Sequence, residues 1–395
     1  MKKATREQTK THNLTLVLKT IYDQGPISRA DIARATGLTR TTVSGLVAEI
    51  IDEGLVEEVG VQTSTGGKPG TLLSVVDDSR HLIGIDLANS EFRGSILDLR
   101  GRVRQKISLP VQERNGSAAL SLVYQLLDRL LPQASSPVLG IGIGTPGLID
   151  ARQGIIRTAV NLDWQNLPLR DLLMERYGLP VYVANDSQVA ALGEYTFGRS
   201  TGTPNLVVVK IGRGIGAGII INGRLFHGDG FGAGEIGHVR VVDNNIQCRC
   251  GHYGCLETVV SSRALLRQAR QIAVQSPDSL LHPYAGAPEQ INTEMVLEAF
   301  HQGDPHLQAV VRQMGHHLAV AVAHLVNALN IHHIVIAGSL ARFGEALLEP
   351  IRTDIQHRAM ALLAEQTRIE LSVLDQDIVI QGAAALLLSQ ELGIV

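Results

Sequence analysis

Residues 81–103, HLIGIDLANSEFRGSILDLRGRV, and residues 205–226, NLVVVKIGRGIGAGIIINGRLF, run through one pattern twice: an apolar run, a turn, and a returning hairpin. Runs of branched apolar residues closed by turns read as buried strands, here at 82–87 and 206–211. Further runs stand at 138–143, 181–183 and 333–336, with helical stretches between them such as 118–131 and 314–329. Buried strands alternating with helices build α/β layers. A duplicated unit predicts a two-lobed body with a cleft between its lobes, and no low-complexity linker separates them.

Upstream of the body the pattern is different. Leu14, Val17, Leu18 and Ile21 recur at helical spacing until Gly25-Pro26 stops them. Ser28 can cap a second helix over 28–36, with Asp31 favouring its positive end. Gly37 permits a sharp left-handed turn, Leu38 packs inward, and Thr39 caps a third helix running to about Glu53. Ala33, Gly37 and Val43 then occupy the crossing, turn and underside positions of a helix-turn-helix. Two strands, 55–61 and 71–75, enclose QTSTGGKPG and read as a wing. Across residues 1–45 eight basic residues face three acids, although the whole chain carries −3. A basic end on an acidic body suits a nucleic-acid partner. The residues expected at DNA are Arg29, Thr39, Arg40, Thr41, Thr42 and Ser44 around the third helix, and Lys68 in the wing. A bare three-helix packing unit is the alternative.

The 395 residues predict two or three domains, with 45% hydrophobic and 4% aromatic content suited to a large α/β core. The sequence opens without an apolar leader and has no run of about 18 uninterrupted apolar residues, so no membrane partner and a cytoplasmic location are expected. Its three cysteines, Cys248, Cys250 and Cys255, cluster within eight positions. With His238 they form H-x9-C-x-C-x4-C, a closed set of one imidazole and three thiolates that suits a structural Zn²⁺ without a catalytic water. Three buried free thiols are the alternative.

From Leu82 onward the chain resembles the ROK family of sugar kinases and repressors, within the actin-like ATPase fold. The most specific stretch is GEIGHVRVVDNNIQCRCGHYGCLET, residues 234–258. With residues 10–80 included it resembles the ROK repressors, the xylose repressors among them. The expected fold class is therefore α/β: an N-terminal winged helix-turn-helix (1–80) followed by a two-lobed actin-like ATPase body of the ROK sugar-kinase type. Its first lobe spans 81–198 plus 378–395, and its second spans 199–377 with the zinc site and dimer contacts. The resemblance implies the same four zinc ligands. It also implies a pyranose site at Asn161, Asn185, Asp186, Glu235, His238 and Glu257, lined by the turn GTPGLID, residues 144–150. Amides and carboxylates offer a polyol many donors and acceptors, which makes the set chemically coherent.

In a ROK kinase Asp186 would be the general base that accepts the proton of the attacking sugar hydroxyl. ROK kinases carry D-x-G-G-T-K after the first strand, whereas this chain reads Asp86-Leu87-Ala88-Asn89-Ser90-Glu91. Both glycines are gone and an acid replaces the lysine, so the cradle for a triphosphate is degraded. The second loop, Gly212-Arg213-Gly214-Ile215-Gly216, is better kept, although Arg213 replaces a small hydroxyl residue. These departures predict that ATP does not bind and that Asp186 is a vestigial base, leaving no catalytic residue. The function expected is a sugar-responsive repressor, with operator DNA, a xylose- or glucose-type monosaccharide, and a homodimer or dimer of dimers as its associations. An active sugar kinase with a DNA-binding extension is the alternative, and the residues leave repressor and activator undivided.

Overall fold

Local capping sets the first three helices. The computed structural model of the chain describes residues 5–61, 70–88, 90–200 and 202–395. Helix α1 (Arg6–Gln24) starts at Thr5, whose hydroxyl accepts from the Gln8 N–H while the Gln8 side chain accepts from that of Thr5. After a two-residue strand β1 (Ile27–Ser28), α2 (Arg29–Thr36) is capped by Ser28 and ends at Gly37, where φ is 71°. Helix α3 (Arg40–Asp52) is capped by Thr39. Strands β2 (Val56–Val61) and β3 (Thr71–Val75) pair antiparallel, and β1 joins them in the order β1-β3-β2. The sequence reading finds two of these three strands, since two residues leave no periodicity. Val17, Ile21, Ile32, Val43, Val47 and Ile50 are fully enclosed beneath this unit. Each such burial stabilises by roughly 1.5–3 kcal/mol. Wing residue Lys68 lies outside the described residues, as does Asn89 of the phosphate-loop stretch.

The body begins with β4 (His81–Asp86), β5 (Glu91–Leu97), β6 (Val103–Pro110), α4 (Gly116–Leu130) and β7 (Val138–Thr145). A small antiparallel sheet follows, β8 (Leu148–Asp150), β9 (Ile155–Ala159) and β10 (Trp164–Leu167), then α5 (Leu169–Tyr177), β11 (Val181–Asn185) and α6 (Asp186–Phe197). The second half has β12 (Leu206–Ile211), β13 (Ile215–Ile221), β14 (Arg224–Leu225), α7 (Glu257–Val260), α8 (Ser262–Gln275) and α9 (Thr293–His301). It continues with α10 (Pro305–Leu329), β15 (His333–Ala337), α11 (Glu345–Arg358), α12 (Ala361–Gln366), β16 (Arg368–Leu371) and α13 (Ile378–Leu387).

The repeated sequence unit is a repeated topology. One five-stranded sheet runs β6-β5-β4-β7-β11 and the other β14-β13-β12-β15-β16. In both, the first three strands form an antiparallel meander and the last two are added parallel. Helices α13 and α6 stack between the sheets, α13 against β4 and β7, α6 against β12 and β13. The layers touch backbone to backbone. A Cβ on Gly142 would lie 2.2 Å from the Ala383 carbonyl oxygen, and one on Gly382 would lie 1.9 Å from that of Val189. Only glycine permits such an approach. Because β11 runs straight into α6, this stack fixes the α6 N-terminus.

The winged helix is joined to the body by one continuous apolar cluster. Val17, Leu18 and Ile21 of α1 share it with Leu82, Leu97, Leu99, Ile380, Leu387, Leu388 and Ile394. Tyr22 donates its hydroxyl to the Leu99 carbonyl at 2.8 Å, and burial pushes its pKa up to about 12. Arg100 stacks 4.2 Å from the Tyr22 ring centre, and Lys19 donates to the Ile394 carbonyl at 2.7 Å. Helix α10 starts at Pro305, nine residues before the 314 expected, because Asp304 caps a first turn whose polar residues hide the apolar period.

Candidate functional site

The carboxyl ends of β7 and β11, the β12–β13 turn and residues 235–257 enclose a cavity of about 390 Å³. Asn161, Asn185, Asp186, Glu235, His238 and Glu257, scattered across nearly a hundred positions, all line it. So do Pro146, Gly147 and Leu148 of the expected turn.

Their roles within the cavity differ. Asn185 caps α6: its Oδ1 accepts from the N–H groups of Ser187 (2.9 Å) and Gln188 (3.2 Å), and its Nδ2 donates to the Gly147 carbonyl at 3.0 Å. Its amide is largely committed, so Asn185 chiefly positions Asp186 in the first turn of α6. Asp186 Oδ2 in turn lies 2.6 Å from the Lys210 Nζ, and the two side chains are only 11% and 7% exposed. Burial alone would depress the Lys210 ammonium; the charges of Asp186 and Asp86 overcome it and hold the pKa above its ordinary value. Asp86 itself pairs with Arg93. Glu257 Oε2 accepts from the Ile215 N–H at 3.2 Å. Glu235 opens onto the cavity, yet confinement within it, together with the charges of Asp186 and Glu257, pushes its pKa up to about 7.

At the cavity edge His238 Nδ1 stands 3.5 Å from Cys248 Sγ, and Cys250 Sγ stands 3.7 Å from Cys255 Sγ. The four ligand atoms lie within 4.8 Å of one another. Zinc bonds of ~2.3 Å to sulfur and ~2.0–2.1 Å to nitrogen place tetrahedral neighbours about 3.5–3.8 Å apart, so the cluster can hold such an ion. His238 is placed where both expected roles are sterically open to it: its Nδ1 faces the thiols while its Nε2 lies 3.7 Å from Glu235 Oε2.

A second cavity of about 740 Å³ adjoins the first, and Lys210 lines both. Ser90, Glu91, Arg93, Arg213 and Gly338 line it, so the stretch that follows β4 borders this space. The sequence reading misses Lys210, although it is the one charged residue in the apolar run LVVVKI. It also misses Arg249 and Arg263, which both donate to Asn161 Oδ1, the latter at 3.1 Å.

At the other end of the chain Thr39, Arg40, Thr41 and Ser44 are exposed on the leading turn of α3, with Thr42 half-buried beside them. The Thr39 hydroxyl accepts from the Thr42 N–H at 3.1 Å, holding that turn. Arg29, at the start of α2, pairs at 2.9 Å with Glu58 of strand β2.

Comparison with known proteins places this geometry. The ROK family matches residues 82–390, and the MarR family matches residues 15–63. A xylose repressor of Caldicellulosiruptor bescii is 34% identical over 386 residues, covering 96% of each chain. A glucokinase of Halalkalibacterium halodurans is 33% identical, but it covers 79% of this chain and 96% of its own. The crystal structure of a ROK family transcriptional regulator, a homologue of the E. coli MLC protein, superposes with a TM-score of 0.83 at 29% identity, covering 98% of both chains.

Proposed function

The chain belongs to the ROK family, and we propose that it is a transcription repressor whose grip on operator DNA changes when a monosaccharide of the xylose or glucose type fills the cavity. One observation carries this reading. A single chain joins an exposed recognition helix to a cavity lined by amides and carboxylates, and one apolar cluster runs between the winged helix and the body. Similarity to a repressor over 96% of the chain supports it, whereas similarity to the glucokinase covers 79%.

In this reading Asp186, Glu235, His238 and Glu257 accept from or donate to sugar hydroxyls, Asn161 lies on the rim, and Asn185 fixes Asp186. Residues His238, Cys248, Cys250 and Cys255 hold a structural zinc ion, which would cross-link their loop and orient the His238 ring toward Glu235. Thr39, Arg40, Thr41, Thr42 and Ser44 meet the major groove, with Arg29 and Lys68 flanking them. The protein acts in the cytoplasm as a homodimer or dimer of dimers on half-sites about one DNA turn apart. Among the described residues no helix is long and apolar enough to cross a membrane.

Phosphoryl transfer is not part of this function. The Lys210 ammonium, 2.6 Å away, already occupies Asp186 Oδ2, the oxygen that a sugar hydroxyl would otherwise meet. Glu91 stands in the second cavity at the position where the kinase pattern has its lysine. A mobility-shift titration of the protein on its own promoter DNA, with and without a panel of monosaccharides, tests the proposal. Binding at low salt that one sugar alters is the expected result, and no DNA binding there ends the idea. Sustained ADP release with any sugar would instead establish the kinase reading.

A further inference from the structure

Gln188 stands two residues after Asp186 in the first turn of α6, only 2% exposed, and does not line the polyol cavity. Both ends of its amide go to one segment, the loop 226–234 that follows β14. Its Nε2 donates to the Phe231 carbonyl at 3.2 Å, and its Oε1 lies 3.1 Å from His227 Nδ1. A carbonyl only accepts, so Nε2 faces Phe231 and the His227 Nδ1 proton is the one donated to Oε1. Two contacts inside the loop close it on itself. The Ala233 N–H donates to the His227 carbonyl at 3.2 Å, and the His227 and Phe231 rings meet edge-on with centres 6.2 Å apart.

The same loop touches the small sheet of β8, β9 and β10. Arg152, in the β8–β9 turn, places its guanidinium 5.7 Å from the Phe231 ring centre. A Cβ on Gly232 would lie 3.3 Å from Leu148 Cδ1. Leu148, Thr158, Val160 and Asn161, from this sheet and the residues after β9, form one wall of the cavity. Gly214, Glu235 and Glu257, from the second half of the body, stand in another. The loop thus starts in the second half, is gripped by α6, and meets the first half behind its cavity wall. Its shape is a held one. Phe231 has a φ of 61°, a left-handed backbone that a bulky residue keeps only where its surroundings impose it. A surface loop could satisfy the same polar atoms with water; here an enclosed amide does so.

We propose that Gln188 is a positioning residue: it holds loop 226–234 as a brace between the two halves of the body, and the brace keeps the two cavity walls in register for a sugar. Gln188 touches no sugar hydroxyl itself. It acts through the walls, because hydroxyl contacts on opposite sides of a ring form together only at one separation, and a displacement of ~1 Å is enough to forfeit some of them. Arg152 completes the brace from the first half. This inference rests on the sugar-sensor reading and adds to it a determinant of affinity outside the cavity.

Two measurements on the full-length, zinc-supplied protein test it, with Gln188→Met, which keeps the side-chain length and removes both polar ends, and with the exposed-site variant Arg152→Leu, which leaves the core untouched. Hydrogen exchange without any sugar comes first. The amides of 226–234 should exchange about tenfold or more faster in Gln188→Met, and faster to a lesser degree in Arg152→Leu, while α10 and the winged helix keep their protection. Calorimetric titration with D-xylose and D-glucose comes second. The sugar that the parent protein binds should lose about tenfold or more in affinity in Gln188→Met. Combined with Glu235→Gln, the two losses should fall short of additive, because both act on the same wall-to-wall contacts. Unchanged exchange in the loop overturns the brace. Faster exchange with unaltered affinity, or strictly additive losses, overturns the positioning role and leaves Gln188 a packing residue. If neither sugar binds the parent protein, the sensor reading fails and the positioning role with it, while the exchange result still decides whether the brace exists.

Discussion

Replacing Lys210 by methionine removes a charge while keeping most of the stem, and its cost follows from the geometry of the pair it breaks. Lys210 and Asp186 approach to 2.6 Å with side chains 7% and 11% exposed, so the variant strands a nearly enclosed carboxylate. Losing one partner of a buried ion pair costs about 3–5 kcal/mol. Asp186 lines the cavity, where water can reach it, which puts the expected loss at the lower end, about 3 kcal/mol. Asp186→Asn should cost less, because Asp86 also acts on the Lys210 charge. The double variant should recover much of the loss, with a coupling of roughly 2 kcal/mol. Urea unfolding read by fluorescence reports this directly. The chain has a single tryptophan, Trp164, buried in β10 with its indole N–H on the Gly116 carbonyl at 2.8 Å. A Lys210→Met variant within about 0.5 kcal/mol of the parent, as an exposed site would be, refutes the buried ion pair.

Chelation should release about one zinc ion per chain and lower the melting temperature by roughly 5 °C or more, as should Cys255→Ser; purified protein that neither contains zinc nor gains stability from it defeats the metal assignment. Arg40→Ala should weaken operator binding. A salt dependence shallower by about one ion marks a phosphate contact, and relaxed specificity marks a base contact; unchanged affinity removes Arg40 from the interface. Asp304 caps α10 and accepts from the N–H groups of His306, Leu307 and Leu280 and from the Ser279 hydroxyl. Burial raises its pKa, but those hydrogen bonds outweigh burial and hold it below the ordinary 3.8. The stabilisation is therefore complete above that pH and is lost as pH falls through the depressed folded value. Asp304→Asn should cost about 2 kcal/mol at neutral pH and flatten the acid limb of a stability–pH curve; equal acid sensitivity in both proteins contradicts this.

What the sequence discloses about the fold depends on how local the cause is. The starts of α2 and α3 were readable because capping is settled within three residues, by Ser28 with Asp31 and by Thr39 with Thr42. Strands β4, β7, β12 and β15 were readable because interior parallel strands are apolar on both faces. Helices α6 and α13 were not. Buried residues run without a break from Asp186 to Glu194, and nearly all of α13 is enclosed, so neither helix shows the one-sided stripe that betrays a surface helix. Their position between two sheets removes the signal.

The same rule separates the parts of the site. The thiol–imidazole cluster was legible because its spacing encodes a ligand set, and the cavity residues because the family resemblance orders them. That order says which residues meet at the cavity and nothing about what each then does there. Asn185 has a side chain suited to a sugar, yet its oxygen is taken by the first turn of α6. Asp186 has the identity of a base, yet a lysine 24 positions away, in strand β12, holds it in an ion pair. Arg249 and Arg263 reach Asn161 across 88 and 102 positions. In each case the decisive partner is remote in sequence and near in space, and hydrogen-bonding capacity is finite: an atom already accepting cannot serve a ligand in full. Residue identity thus bounds the chemistry available to this cavity, and the occupancy of each polar atom selects from it.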